Sequence, residues 1–269
     1  MSLQKDIKNK VSIIFRNIYK KVGYNFIHVR RIKTLKADKI NSYILFSKEV
    51  YFKSPFEFLH NLSEIFIEEI YKIELPADAL IFDCGANIGI SVLYLKKRFP
   101  QSTIVAFEPD KQNFEILNLN VTSFELKNVE LNNTAVWVEN TLLSFSNDSS
   151  MSSKIENENT ISTASLVKAI RLYDLINQQI DFLKIDIEGA EYKVLMDIET
   201  KLHYVQNMFF EYHGSFAQIG ELTNIFTILN KHGFKYYIKE ATPVYKHPFL
   251  RIEKDVPYDV QLNIFCFRK

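Results

Sequence analysis

The chain has 269 residues, of which 47% are hydrophobic, 14% aromatic and 24% charged, so it can bury a sizeable core and is not wholesale disordered. Its net charge of +1 hides an uneven distribution: residues 1–39 carry eleven Lys/Arg against Asp6 and Asp38, which makes that segment +9 and the remainder −8. No apolar run reaches the ~18 residues that span a bilayer, and Lys or Arg interrupts the N-terminus too often for a signal peptide.

In chain order, Leu3, Ile7, Val11, Ile14, Phe15, Ile18 and Val22 recur at three- and four-residue spacing and predict an amphipathic helix over 3–22. Residues 24–54 show no clear period and read as short strands and turns. A second helical pattern runs over 55–72. From Pro76 onward strands and helices alternate, the pattern of a parallel sheet covered on both faces. Strands are predicted over 80–83, 103–107 and 129–138, with 141–145 hairpinned back on the third. Helices are predicted over 87–99 and 111–124. Residues 146–165 hold seven Ser and three Asn and read as a long, functional loop, an acceptor-side lid. A strand over 181–186, a helix over 190–202 and a strand over 207–212 follow. A helix over 222–232 is capped by Gly233. Strands over 235–239 and 260–267 close the sheet, joined by a segment carrying Pro243, Pro248 and Pro257 that reads as a cover for the site.

The sharpest feature is Asp83-Cys84-Gly85-Ala86-Asn87-Ile88-Gly89, placed between a strand and a helix. Glycines there permit a tight turn and a close backbone approach to a ligand. Glu108 ends the next strand, nineteen residues past Gly89, where a carboxylate can accept both ribose hydroxyls. Asp83 separates two cofactors. A dinucleotide pyrophosphate at this helix start would be repelled by it, whereas the ammonium and sulfonium of S-adenosylmethionine would be attracted. The spacing also departs from G-x-G-x-x-G. Two further acidic strand ends converge on the same crevice, Lys184-Ile185-Asp186-Ile187-Glu188-Gly189-Ala190-Glu191 and Phe210-Glu211-Tyr212-His213-Gly214. Lys184 reads as the partner of a carboxylate, and Glu191 as a first-turn residue that the helix dipole favours.

The ordered set DCGANIGIS, AFEPD, DFLKIDIEGAEYKVL and FFEYH resembles the FkbM family of S-adenosylmethionine-dependent methyltransferases over about residues 80–240. The resemblance implies an α/β fold with a doubly wound, mostly parallel seven-stranded sheet of the Rossmann-like methyltransferase type. It implies methyl transfer to a hydroxyl oxygen of a sugar, polysaccharide precursor or natural product. On the family's pattern Asp83, Gly85, Ala86, Asn87 and Gly89 line the methionine part, Glu108 and Pro109 the ribose, and Asp186 sits beside the transferring methyl. It is silent on residues 1–75, taken as a helical appendage to a methyltransferase domain over 76–269.

An alkyl hydroxyl needs a positioned base. His213 qualifies by its ordinary pKa of ~6.5, with Asp186, Glu188 and Glu211 as rivals. A divalent ion on Asp186 and Glu211 ranks below these bases, and no metal ligand is assigned. Cys84 and Cys266 lack metal-ligand spacing and form no disulfide framework, which points to a reducing, cytoplasmic setting. The competing functions are an NAD-dependent sugar-modifying oxidoreductase and a non-enzymatic Rossmann-like binding protein. No nucleic-acid partner is expected, because no basic motif with interleaved aromatics appears. The expected partner is a small-molecule or glycan acceptor. The N-terminal helix is expected to dock on its own domain or a second subunit, as a homodimer, ahead of peripheral membrane contact through its basic face.

Overall fold

The computed structural model describes residues 19–145, 165–251 and 256–268. Most of the predicted 3–22 helix, and all but the last residue of the 146–165 lid, lie outside the described residues. The chain forms two compact units. One combines the described part of Met1–Glu74 with Ala86–Pro100 and Gln112–Lys127; the other combines Leu75–Gly85, Gln101–Lys111 and Asn128–Lys269.

In the first unit the sequence concealed a helix, Phe26–Lys33. Its cap explains why. Asn25 Oδ1 accepts from the Ile27 and His28 amides while His28 Nδ1 accepts from the Asn25 amide, a reciprocal cap built from Asn and His instead of the usual Ser/Thr and Glu. Strands β1 (Asn41–Leu45) and β2 (Lys48–Phe52) then pair antiparallel around Phe46 and Ser47. Both turn residues have positive φ, 51° and 68°, without the Asn-Gly signal that normally announces such a hairpin. Ser54 caps the helix Pro55–Asn61 through the Glu57 amide, and a π-helical turn, Leu62–Ile67, ends this run short of residue 72. The helices Ile90–Arg98 and Lys111–Ser123 belong to the same unit from Gln112 on. Buried Asn120 ties it together, since its amide reaches the Tyr51 and Ile88 carbonyls and its oxygen accepts from the Tyr51 amide.

The second unit carries β3 (Leu80–Cys84), β4 (Thr103–Phe107), β5 (Val129–Asn132), β6 (Ala135–Trp137), β7 (Thr141–Phe145), β8 (Ser165–Arg171), β9 (Ile180–Ile185), β10 (Val205–Gly214), β11 (Lys235–Glu240) and β12 (Val260–Phe267). Seven of them form one sheet in the order β11-β12-β10-β9-β3-β4-β5. The β10–β9, β9–β3, β3–β4 and β4–β5 pairs are parallel, and β12 lies antiparallel between β10 and β11. The doubly wound, mostly parallel α/β expectation therefore stands. The predicted 129–138 strand is two strands, broken at Asn133-Thr134, and β6 leaves the large sheet for a three-stranded one, β6-β8-β7. There β7 pairs antiparallel with β8, so the expected hairpin onto the third strand is corrected. The helices Glu191–Asp197 and Gly220–Lys231 bring Val194, Leu195, Ile225 and Leu229 into one core with Leu183, Ile185, Phe210 and Ile264, all fully buried. Gly233, at φ 75°, ends the second helix as predicted. Among the described residues no helix is long and apolar enough to cross a membrane.

Candidate active site

Strand order reverses beside β3: the chain steps outward to β4 and β5, then returns to pair β9 on the other side of β3. In open α/β sheets ligands bind outside the carboxyl ends of strands at such a switch point. The residues that end β3, β4, β9 and β10 therefore define the candidate site.

Gly85 follows β3 with φ 83°, donates its amide to the Phe107 carbonyl, and lies so close to the next strand that a Cβ would sit 1.7 Å from the Asp186 carbonyl oxygen. Glycine is thus required here by the protein's own backbone, in addition to any ligand. Ala86 is buried; Asn87 is exposed at φ 49° with Oδ1 accepting from the Ile88 amide. Gly89, at φ 86°, is the N-cap of Ile90–Arg98, where a Cβ would press on Leu117 at 2.5 Å. Glu108 ends β4 and is 6% exposed; its Oε1 accepts from the Asp110 amide. Asn133, which the sequence reading passed over, donates to the Glu108 and Pro109 carbonyls and fixes that corner.

The Asp83 side chain is fully buried and paired at 3.1 Å with Lys184 Nζ, its register partner on β9. Lys184 neutralises the charge expected to repel a pyrophosphate. Lys184 has the structural role expected of it: it also donates to the Gly85 carbonyl at 2.8 Å and lies 3.5 Å from Asp186. The Asp83–Lys184 pair thereby anchors the glycine turn, and half-buried Asp186 presents the carboxylate at this strand end.

Glu191 has a larger role than a first-turn acid. It is fully buried, and its carboxylate accepts from the Ile187 and Gly189 amides, folding residues 187–189 into a turn in which Glu188 and Gly189 both have positive φ. Its Oε1 also lies 3.2 Å from His213 Nδ1. His213 Nε2 faces Glu211 at 3.4 Å and Glu188 at 3.7 Å. Burial alone would lower the His213 pKa, but the hydrogen bonds to Glu191 and Glu211 and the charges of Glu191 and Glu188 outweigh it and push the imidazole up to about 11. Carboxylates thus face both ring nitrogens of His213. Desolvation raises Glu188 to about 7, opposed by His213 and reinforced by Asp186, Glu191 and Glu211, although water reaches the 57% of its side chain that is exposed. Tyr258, from the end of the proline-bearing segment, packs its ring 4.8 Å from the His213 ring and donates to the Glu188 carbonyl. No periodicity or motif marked it; only the antiparallel return of β12 brings it here.

A switch-point glycine turn, a carboxylate at the end of the second strand and an antiparallel last strand in a seven-stranded sheet define a Rossmann-like methyltransferase fold. Residues 83–236 match the methyltransferase FkbM domain, and the chain belongs to that family. It is 28% identical over 210 residues to Methyltransferase 1 of Beauveria bassiana, covering 68% of this chain and 82% of that protein. It is 26% identical over 204 residues to Methyltransferase sdnD of Sordaria araneosa, covering 62% and 76%. The crystal structure of Methyltransferase FkbM from Methylobacillus flagellatus KT aligns with a TM-score of 0.48 at 16% identity, over 78% of this chain and 53% of that one.

Proposed function

We propose that this methyltransferase moves a methyl group from S-adenosylmethionine to a hydroxyl oxygen of a sugar, polysaccharide precursor or natural product. The observation that carries the reading is the convergence of the Gly85 turn, Glu108 and Asp186 at the carboxyl ends of three neighbouring strands at the switch point. The residues present fit the donor. Glu108 offers a desolvated carboxylate suited to ribose hydroxyls, and the Gly85 turn leaves no side chain between the two strands. Asp186, Glu188 and Glu211 cluster near His213, a set of carboxylates suited to positive charge. When bound, S-adenosylmethionine supplies an electrophilic methyl on a sulfonium.

The chain's own residues then have to place the acceptor oxygen in line and remove its proton, and alignment accounts for much of the gain, up to ~7–11 kcal/mol. Hydroxyls donate to carboxylates, so the acidic strand ends suit a polyhydroxyl acceptor. Glu188 takes the proton: it stands at the tip of its turn, exposed, with the His213 ring 3.7 Å behind it. Glu108→Ala is expected to weaken S-adenosylmethionine binding by ~1–3 kcal/mol, the cost of losing charged hydrogen bonds, as read by titration calorimetry. Glu188→Gln is expected to lower kcat by ~10²–10⁴-fold while leaving donor affinity within about twofold. Wild-type affinity in Glu108→Ala would remove the ribose role, and full turnover in Glu188→Gln would remove the base.

A further inference from the structure

We infer that Asp186, Glu211 and His213 form a binding site for one divalent cation, which holds an oxygen atom of the acceptor; the acceptor part rests on the methyl-transfer reading above, the cation site does not. One donor atom from each of these residues lies within 4.8 Å of the other two. Donors around a six-coordinate cation, at the ~2.1–2.4 Å typical of such bonds, stand about 3.0–4.8 Å apart, so this spacing is within reach of one ion. Backbone register makes the juxtaposition rigid. Phe210 pairs with Ile185, which sets Glu211 beside Asp186 at the ends of two parallel strands.

Geometry beyond the acidic pair points to a cation. His213 is buried, with 3% of its side chain exposed, and its Nε2 is aimed at Glu211 and Glu188. Its other nitrogen meets Glu191, whose side chain is 1% exposed and whose two oxygens are held by the Ile187 and Gly189 amides. A carboxylate locked on one imidazole nitrogen fixes the ring and directs the other nitrogen outward, the arrangement that supports metal-ligating histidines. Glu188, Glu191 and Glu211 lie within 3.7 Å of this single imidazole, and Asp186 adds a fourth carboxylate with Lys184 3.5 Å away, so carboxylates outnumber the cationic side chains beside them. Two carboxylates and one imidazole suit ions of the manganese type better than the sulfur-rich sets that select zinc. With three protein donors, such an ion keeps positions for water or for acceptor oxygens, and a vicinal diol or hydroxy-acid fills two of them.

The test is electron paramagnetic resonance of Mn²⁺ titrated into the full chain, with no methyl donor or acceptor added. One saturable Mn²⁺ per chain is expected. Asp186→Asn and Glu211→Gln, each checked for native circular dichroism, should weaken it at least tenfold. Glu125→Gln, an exposed carboxylate elsewhere, should leave it unchanged. No saturable Mn²⁺ in the folded wild type, or binding unmoved by both site variants, overturns the proposal. Calorimetry with S-adenosylmethionine on the same protein separates the two readings. Mn²⁺ binding without donor binding sinks the methyl-transfer reading alone, and donor binding without Mn²⁺ sinks the cation site alone.

Discussion

Glu191→Ala is expected to destabilise the fold by ~3–5 kcal/mol, the largest effect of any single substitution around the site. The change removes a fully buried carboxylate that serves three donors, the Ile187 and Gly189 amides and His213 Nδ1. Two amides are left without their acceptor, and the buried imidazole loses its Nδ1 partner. Leaving several buried donors without their acceptor carries this order of cost, about 1–3 kcal/mol for each. The turn it holds also keeps Glu188 at φ 55°, a conformation that non-glycine residues avoid. Glu191→Gln keeps the shape and an oxygen acceptor, so it should recover part of the loss. Urea unfolding followed by circular dichroism measures both. Wild-type stability in Glu191→Ala would show that the turn and His213 are held by other contacts.

Gly85→Ala is expected to cost ~2–5 kcal/mol. One part is the positive φ of 83°, which an L side chain adopts at about 1–2 kcal/mol. The other is overpacking, typically ~1–3 kcal/mol, because the new Cβ would fall 1.7 Å from the Asp186 carbonyl oxygen and the obstacle is backbone, unable to rotate away. The consequence reaches the site through two observed bonds, since the Gly85 carbonyl accepts from Lys184 and the Asp186 amide donates to the Cys84 carbonyl. A turn pushed off β9 moves Asp186, so donor affinity should fall together with stability. Gly233→Ala is the comparison: its φ is also positive, 75°, but nothing lies within 4 Å of its Cβ, so only the conformational part of the cost is expected. Equal thermal shifts in the two variants would contradict the steric account.

Much of this arrangement was legible before any coordinates. The alternation of short apolar strands with helices from residue 76 onward located the strands of the large sheet, and acids at strand ends drew attention to Glu108, Asp186 and Glu211. What escaped depended on depth and on partners. A carboxylate after a strand reads the same whether it faces a ligand or a lysine, so the pairing of buried Asp83 with Lys184 has no local signal. Histidine's ordinary pKa says nothing of three carboxylates around it, which only the pairing of β10 with β9 and the 187–189 turn bring together. The glycines of the first turn were read as openings for a ligand; the neighbours of Gly85 and Gly89 show that packing demands them as well. Asn133, Asn120 and Tyr258 act through side-chain hydrogen bonds across long sequence separations, which no local pattern records.

The measurement that bears most directly on the account is titration calorimetry of the wild-type chain with S-adenosylmethionine and, separately, with NAD. The account predicts one saturable site for S-adenosylmethionine, weakened by Glu108→Ala, and no saturable NAD binding, because the turn after β3 lacks the G-x-G-x-x-G spacing that accommodates a pyrophosphate. Saturable NAD binding with no heat from S-adenosylmethionine would contradict it.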